Sequence, residues 1–430
     1  MAAVIRERIT EEVKSASFVA IQADETTDVS TQTQMVMVLR YIDGSHAVQE
    51  RFFEFVPLSS STADSIATAI MERLNSLFTE EERGKLIAQA YDGANVMRGE
   101  KAGVQQKVRE HYKNAHYLHC YAHQLNLIMQ QATSQVPAVR VFFSDLNGIS
   151  SFFSRSPKRT TILDQVVARR LPRASATRWN FNSRVVNTVY ENLNDLIECF
   201  EAISTDGSFD CTTVREASGY LRMLQDDDFK FFLHLFHQIM PHVDIMYQQL
   251  QKKDIDAVFI KRALQSFTSS VQAIRDQSSS PIYLFEQYCH VFPDEALNTT
   301  AKAYPMLNKA KLNTELSLIY ESPDFKGCSG ALALYQVLQR NNLHETLSET
   351  VALLNILITT PMTTAEAERC FSTLKRIKTF LRNSMGQDRL NALAMLSMER
   401  ELVRNMPDFN ERVTDHFAAL KERRAKFQYK

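Results

Sequence analysis

The sequence is poor in glycine and proline, and its cysteines form no recognisable pattern. Of 430 residues, 11 are Gly and 11 are Pro, which favours long helices over a turn-rich β architecture. The six cysteines include no Cys-x-x-Cys pair, and no signal peptide opens the chain, so a reduced intracellular setting is expected. No apolar run reaches the ~18–20 residues that a membrane helix requires. The net charge of −1 argues against a uniformly basic nucleic-acid binder, so any DNA contact has to rely on local patches.

The chain divides by pattern into three parts, which we predict as domains 1–135, 136–349 and 350–430. The first part alternates short apolar runs with helical spacing in the order β-β-β-α-β-α-β-α. In the second part strand signals vanish and helical stretches dominate, which predicts an all-α insertion. No internal repeat of fixed period is visible. The fold class predicted is therefore α/β plus α.

Two aspartates of the first part follow apolar runs. Asp24 ends the run 17–23, and Asp92 follows the run 86–90 and precedes Gly93. Ligands of open α/β sheets bind at the carboxyl ends of strands, and paired carboxylates there are typical of a divalent-metal site. Taken alone, each aspartate is explained equally well as a turn or helix N-cap residue.

The element order of the first part is that of the ribonuclease H-like fold. In that fold the first strand lies parallel beside the fourth, which would place Asp24 and Asp92 side by side. The third part contains another acid, Glu368, near the start of a predicted helix. Thr363 and Glu366 have capping-box spacing, and the helix after them has a predicted buried stripe of Ala367, Cys370, Phe371, Leu374, Ile377 and Leu381. Glu368 lies off that stripe, where a solvated helix residue would equally lie.

Five ordered blocks resemble those of hAT-superfamily transposases and of hAT-derived proteins related to the zinc-finger MYM type. They are Asp24-Glu25-Thr26-Thr27-Asp28, Asp92-Gly93-Ala94-Asn95-Val96-Met97, Cys120 through Leu127, Thr177-Arg178-Trp179, and Thr363 through Ser372. The region around Arg389-Leu390 continues the dimerisation segment of that family. The resemblance implies a ribonuclease H-like catalytic fold, a large all-α insertion and a C-terminal helical hAT dimerisation region.

The same resemblance implies a DDE site made by Asp24, Asp92 and Glu368, which would serve both as metal ligands and as catalytic residues. Hard cations such as Mg²⁺ or Mn²⁺ prefer oxygen ligands, and two of them can promote phosphodiester cleavage and strand transfer. Members of the family carry an N-terminal zinc-binding DNA-recognition domain, whereas this chain starts almost at the first strand. Sequence-specific binding of transposon ends is therefore not expected of it.

Further DNA-binding residues follow from the resemblance: Cys120 and His123 as the Cys-x-x-His motif beside the catalytic site, and Trp179 with Arg178 beside a flipped base. A lone tryptophan is otherwise usually a core residue. The residues His116, His119, Cys120 and His123 lack the spacing of two separated ligand pairs, so zinc is not predicted.

The basic patches 155–159 and 375–378 suit phosphate contacts or a solvated face. The tail 421–426 resembles a weak nuclear-import signal, so a nuclear location is expected.

Two functions remain open from the sequence. The first is a metal-dependent DDE-type transposase or nuclease core that acts on DNA as a homodimer or higher homo-oligomer. The second is a domesticated, non-catalytic protein that acts through dimerisation and DNA or protein binding. The apolar positions Leu390, Leu393, Ala394 and Leu396 serve either a dimer interface or the core, because periodicity cannot distinguish the two.

Overall fold

The computed structural model describes residues 1–166, 179–253, 255–275, 294–322, 325, 327–328 and 330–419. These residues are mostly helical and contain one small mixed sheet of five strands. The strands are β1 Val19–Thr27, β2 Thr33–Ile42, β3 Val48–Pro57, β4 Leu86–Tyr91 and β5 His116–His119. The prediction of an α/β region followed by helices is thus confirmed at the level of fold class. In the described ranges, no helix is both long and apolar enough to cross a bilayer.

The strand order is β3-β2-β1-β4-β5, in which β1 pairs antiparallel with β2 and parallel with β4. A turn at Asp43-Gly44 forms the β2–β3 hairpin, and Asp43 Oδ1 accepts hydrogen bonds from the backbone N–H groups of Ser45 and Ala47. The predicted side-by-side position of the first and fourth strands is confirmed. One prediction was wrong in detail: β1 does not end at Asp24 but continues to Thr27, because its edge stays paired with β2.

Helices alternate with the strands in the part of the chain that precedes residue 135. They are α1 Ala2–Ser15, α2 Ala63–Leu77, α3 Asn95–Arg98, α4 Val104–His111 and α5 Tyr121–Ser134. Thr62 caps α2 by accepting a hydrogen bond from Ser65 N. A short 3-10 helix, Glu81–Lys85, precedes β4.

The middle of the chain is helical wherever it is described, as predicted. Its helices are α6 Pro137–Ser154, α7 Pro157–Val166, α8 Trp179–Glu191, α9 Leu193–Thr205, α10 Cys211–Gln225, α11 Asp227–Leu250, α12 Ala257–Arg275, α13 Asp294–Ala303, α14 Lys309–Glu321 and α15 Ala331–Arg340. Two compact units result, one of Met1–His123, Leu250–Ile260 and Phe285–Lys430, the other of Gln124–Gln249 and Lys261–Leu284. This grouping places α13–α15 with the sheet, whereas the domain limits at 135 and 349 stay predictions.

The second unit has a core of aromatic rings. Phe152 lies 5.3 Å from both Phe200 and its neighbour Phe153, measured between ring centroids, and 5.6 Å from Tyr220. Each such ring buries a large apolar area, and edge-to-face pairs add ~0.5–1.5 kcal/mol. The helical periodicity of this region is therefore explained by an internal core of its own.

The chain after residue 347 returns to the sheet through α16 Ser348–Thr359, α17 Ala365–Ile377, α18 Gln387–Met398, α19 Arg400–Arg404 and α20 Phe409–Ala419. Leu390 and Ala394 are fully buried in the core that covers the sheet, and Leu396 packs against it. Asn391 exchanges hydrogen bonds of 2.9 and 3.0 Å with the Phe55 backbone. This face of α18 therefore serves the core of the protomer, and only Leu393, 37% exposed, points outward.

Two predictions for α17 were wrong. The N-cap residue is Thr364, not Thr363, and no side chain closes a capping box. The carboxylate of Glu366 instead binds Arg369 at 2.6 Å. The predicted stripe is buried as far as Leu374 and partly buried at Ile377, but Leu381 is 91% exposed. It lies beyond the end of the helix, in the 3-10 turn Phe380–Arg382.

Candidate active site

The register of the sheet explains why Asp24 and Asp92 lie together. In the parallel pairing of β1 with β4, Gln22 is opposite Ala90. Two residues further along each strand come Asp24 and Asp92, and an interval of two keeps both side chains on one face. Neighbouring strands are about 4.8 Å apart, so the two carboxylates are neighbours at the carboxyl edge of β4.

Glu368 joins these acids from the first turn of α17. Burial, together with the negative charges of Asp92 and Glu368, raises the pKa of Asp24 to about 7, against the hydrogen bond that Glu25 N donates to it. A repulsive effect of both residues on Asp24 requires that they lie close to it. Three acids from sequence positions 24, 92 and 368 are thus brought to one place.

Hydrogen bonds made by Cys120 and Tyr121 set the position of α17. The Cys120 thiol is 2% exposed and accepts a hydrogen bond of 3.3 Å from Thr364 N. Tyr121 N donates to Met362 O at 3.2 Å, and Cys120 N donates to Tyr91 O at 3.0 Å. The β5–α5 junction therefore holds the start of α17 beside the end of β4. The buried Cys120 thiol thus contacts the start of α17, the helix that carries Glu368, while its predicted role in DNA binding stays a prediction.

Histidines occupy the edge of the acid cluster. The rings of His119 and His123 lie 5.5 Å apart between centroids. Burial lowers the pKa of His119, and the neighbouring charges of His123 and Arg98 act in the same direction, while Asp92 opposes them. His123 is half-buried, so it remains available to a ligand. His116 is turned away and contacts Ala303 O at 2.8 Å.

Several residues near the acids were missed by sequence reasoning. Glu25 follows Asp24, and partial desolvation and the charge of Asp92 raise the pKa of its carboxyl, while a hydrogen bond donated by Ser61 lowers it. Tyr117 donates a 3.1 Å hydrogen bond to Asp92 O. The rule used for Asp24 and Asp92 would also have found His119, since it ends β5, the parallel neighbour of β4.

Asp28, the other aspartate of the first block, pairs with a lysine. Its Oδ2 lies 2.6 Å from Lys378 Nζ, and the side chains are 1% and 6% exposed. This ion pair ties the β1–β2 loop to the end of α17 and takes Asp28 out of the acid cluster.

The other two predicted DNA contacts are not tested by the structure. Arg178 lies outside the described residues, as does the side chain of Trp179, whose backbone begins α8.

The donor chemistry of the acid cluster suits a hard cation. Its carboxylate oxygens are the ligands that Mg²⁺ and Mn²⁺ prefer, and a bound cation would offset the repulsion that raises the pKa of Asp24. In the arrangement seen here, no set of three His, Cys, Asp or Glu side chains in the described ranges is positioned to hold a metal ion. The fit is therefore one of ligand type and charge.

Gly93 gives the site a first testable feature. A Cβ at this position would overlap the imidazole of His119, so Gly93→Ala has to push His119 away from Asp92. We expect a loss of about 1–3 kcal/mol in the free energy of unfolding, measured by urea denaturation. In a His119→Ala background the second substitution should be nearly neutral. An equal loss in both backgrounds would contradict the clash.

Two family models match the regions of the chain that contain these acids. Residues 1–103 match the family model described as ZMYM1/FAM200, RNase-like domain, and residues 341–402 match the hAT family C-terminal dimerisation region. The first match contains Asp24 and Asp92, and the second contains Glu368. The three acids thus come from two regions that match separate models.

Curated relatives are similar over most of the chain at low identity. The human protein named 52 kDa repressor of the inhibitor of the protein kinase is 23% identical over 313 residues, covering 69% of this chain and 39% of the relative. Its mouse counterpart is 22% identical over an alignment of 491 residues, covering 93% of this chain and 64% of the relative. The chain spans less than two thirds of either relative's length. This chain thus combines a match to an RNase-like domain of the ZMYM1/FAM200 type with a match to a hAT dimerisation region.

Proposed function

We propose that the chain is the catalytic core of a metal-dependent DNA strand-cleaving and strand-transferring enzyme of the DDE type. The observation that carries this proposal is the meeting of Asp24, Asp92 and Glu368 at the carboxyl edge of β4. The strand order β3-β2-β1-β4-β5 supports a ribonuclease H-like assignment of the sheet. The match to a hAT dimerisation region supports a homo-oligomer as the working form.

The three acids would hold Mg²⁺ or Mn²⁺, and such ions supply activation of an attacking water or hydroxyl and stabilisation of the leaving oxygen. The residues of the chain would orient this site. Cys120 fixes the start of α17, and with it Glu368, against β4. His119 at the end of β5 and His123 in the first turn of α5 would contact the substrate beside the acids. A nuclear location fits an enzyme whose substrate is DNA.

The test is cleavage of a supercoiled plasmid in Mn²⁺, followed as the rate of nicking. Glu368→Gln and Asp92→Asn should each lower the rate by at least about 100-fold, since a metal ligand contributes several kcal/mol to such reactions. The matched control is Glu366→Gln, which lies in the same helical turn but is paired with Arg369. It should keep most of the wild-type rate. Equal losses in Glu366→Gln and Glu368→Gln would argue against a special role for Glu368.

A second candidate function is a non-catalytic hAT-derived protein that acts through dimerisation. The match to the dimerisation region favours it, as does the word repressor in the names of two relatives. Wild-type protein that dimerises but does not nick DNA in Mn²⁺ would support this candidate over the first.

A further inference from the structure

An exposed apolar pair follows α17. Phe380 is 81% exposed and Leu381 is 91% exposed, the two highest values among the large apolar residues described. They lie in the 3-10 turn Phe380–Arg382, in which Arg382 N donates a 2.8 Å hydrogen bond to Thr379 O. Exposing two such side chains forgoes about 1.5–3 kcal/mol of burial each, so the turn calls for an explanation outside the core.

The turn is fixed at the same end of the sheet as the acid cluster. Lys378, two residues before Phe380, is held by the buried pair with Asp28. Asp28 also accepts hydrogen bonds from the backbone N–H groups of Ser30 and Gln32. Asp28 follows Asp24 by four residues, which is roughly 13 Å in an extended chain at ~3.3 Å per residue. The anchor of the apolar pair therefore lies within about that distance of the proposed catalytic acids.

The charge around the turn identifies the kind of partner that it fits. Residues 369–387 contain five Lys or Arg and no Asp or Glu. Arg369 is paired with Glu366 and Lys378 with Asp28. That leaves Lys375, Arg376 and Arg382, all exposed, and no carboxylate of the described residues pairs with any of them. Two copies of so positive a segment would repel each other, whereas a polyanion would be attracted.

We propose that the turn 380–382 is a DNA-contacting element, in which Phe380 and Leu381 pack against bases while Lys375, Arg376 and Arg382 bind the neighbouring phosphates. Apolar side chains of this kind wedge between base steps, and aromatic rings stack on unpaired bases. At about 3.4 Å per nucleotide, the distance of roughly 13 Å between the acids and the anchor corresponds to about four nucleotides of a strand. The inference rests on the proposed function, because it takes the acid cluster as the place where DNA is cleaved.

The experiment measures DNA binding without cleavage. Fluorescence anisotropy in EDTA follows a fluorescein-labelled 25-nucleotide single strand and a 25-base-pair duplex of the same sequence. Phe380→Ala/Leu381→Ala should weaken binding of the single strand about tenfold, since stacking on one base contributes ~1–3 kcal/mol. Lys375→Gln/Arg376→Gln/Arg382→Gln should lower the slope of log K against log salt by about 2, since single strands lose about 0.7 per phosphate contact.

The matched control is Leu318→Ala/Arg404→Ala, an exposed apolar residue and an exposed cation on α14 and α19, which should bind like the wild type. The proposal is overturned if the apolar variant binds as well as the wild type, or if the wild type binds neither probe. It is also overturned if sedimentation shows that a wild-type dimer is lost in Phe380→Ala/Leu381→Ala while the DNA affinity is unchanged. Phe380 and Leu381 would then contact a second copy of the chain. The binding assay needs no metal, so a wild type that binds DNA in EDTA but does not nick the plasmid in Mn²⁺ would count against the proposed function alone.

Discussion

Asp24→Asn is expected to stabilise the metal-free protein at pH 8 by a few kcal/mol, although it removes the central acid of the candidate site. Burial and the charges of Asp92 and Glu368 together raise the pKa of Asp24 to about 7. At pH 8 the folded protein therefore holds a largely desolvated charge beside two like charges. An amide at this position keeps the shape of the side chain and carries no charge, which removes the repulsion.

The direction of the pH dependence follows from the same pKa. In the unfolded chain Asp24 titrates near 3.9, so between pH 4 and pH 7 the folded state holds a proton that the unfolded state has lost. The contribution of Asp24 to the free energy of unfolding therefore falls as the pH rises through this window. At 1.36 kcal/mol per unit, the fall is on the order of 4 kcal/mol as an upper bound. The amide side chain that the substitution introduces does not titrate, so the variant lacks this contribution.

Urea denaturation in EDTA at pH 5, 6, 7 and 8 measures this effect. The difference in stability between Asp24→Asn and the wild type should grow in favour of the variant up to about pH 7 and then level off. Glu401→Gln, on the exposed side of α19, is the control and should show no such trend. A variant that is less stable than the wild type at pH 8 would show that Asp24 has a favourable partner in the metal-free fold.

Mn²⁺ should shift the order of stability in favour of the wild type. A ligand that binds only the folded state stabilises it by about 2.7 kcal/mol at 100 times its Kd, and Asp24→Asn removes one of the proposed ligands. The wild type should therefore gain thermal stability with added Mn²⁺, while the variant gains little. An equal gain in both proteins would place the metal elsewhere. The acid cluster would then be a stability defect without a binding function.

The strands and the two aspartates were predictable because they depend on local information. Alternation and apolar runs mark β1 and β4, and the rule that parallel strands share a carboxyl edge brings Asp24 to Asp92. Glu368 came only from the family resemblance, since its position off a buried stripe fits a solvated residue equally well. The contact that holds the start of its helix beside β4 runs through Cys120 and Thr364, which are 244 residues apart.

The failures at α17 have a common physical cause. Periodicity identifies the buried face of a helix but not the residue at which the helix ends. Leu381 continues the apolar spacing, yet the helix stops at Ile377 because Lys378 is bound by Asp28 from a loop 350 residues away. At the other end, Thr363 and Thr364 are equally good caps by composition, and the bond between Thr364 and Cys120 selects the second. Long-range contacts therefore set both limits of the helix.

Arg40→Met is expected to destabilise the protein by about 3–5 kcal/mol, because it breaks a buried ion pair and leaves its partner charged. The Arg40 guanidinium is 2.9 Å from Glu50 Oε1, with side chains 2% and 6% exposed. It also donates to Ile358 O at 2.9 Å and to Lys253 O at 2.7 Å. One side chain thus joins the sheet to the end of α16 and to the segment after α11. Urea denaturation at pH 7 measures the loss.

Replacing both members of the pair separates its net contribution from the penalty of breaking it. Arg40→Met/Glu50→Leu also removes the carboxylate, which in Arg40→Met keeps only the more distant Arg369, at 3.6 Å, as a cationic partner, and apolar replacements of buried pairs are often close to neutral. The double variant should regain more than half of the stability lost by Arg40→Met, even though the carbonyls of Ile358 and Lys253 lose a donor. Arg369 keeps its 2.6 Å contact with Glu366, so the neighbouring Glu368 should stay in place. A double variant as unstable as Arg40→Met would show that the bonds to the two carbonyls, rather than the ion pair, hold α16 against the sheet.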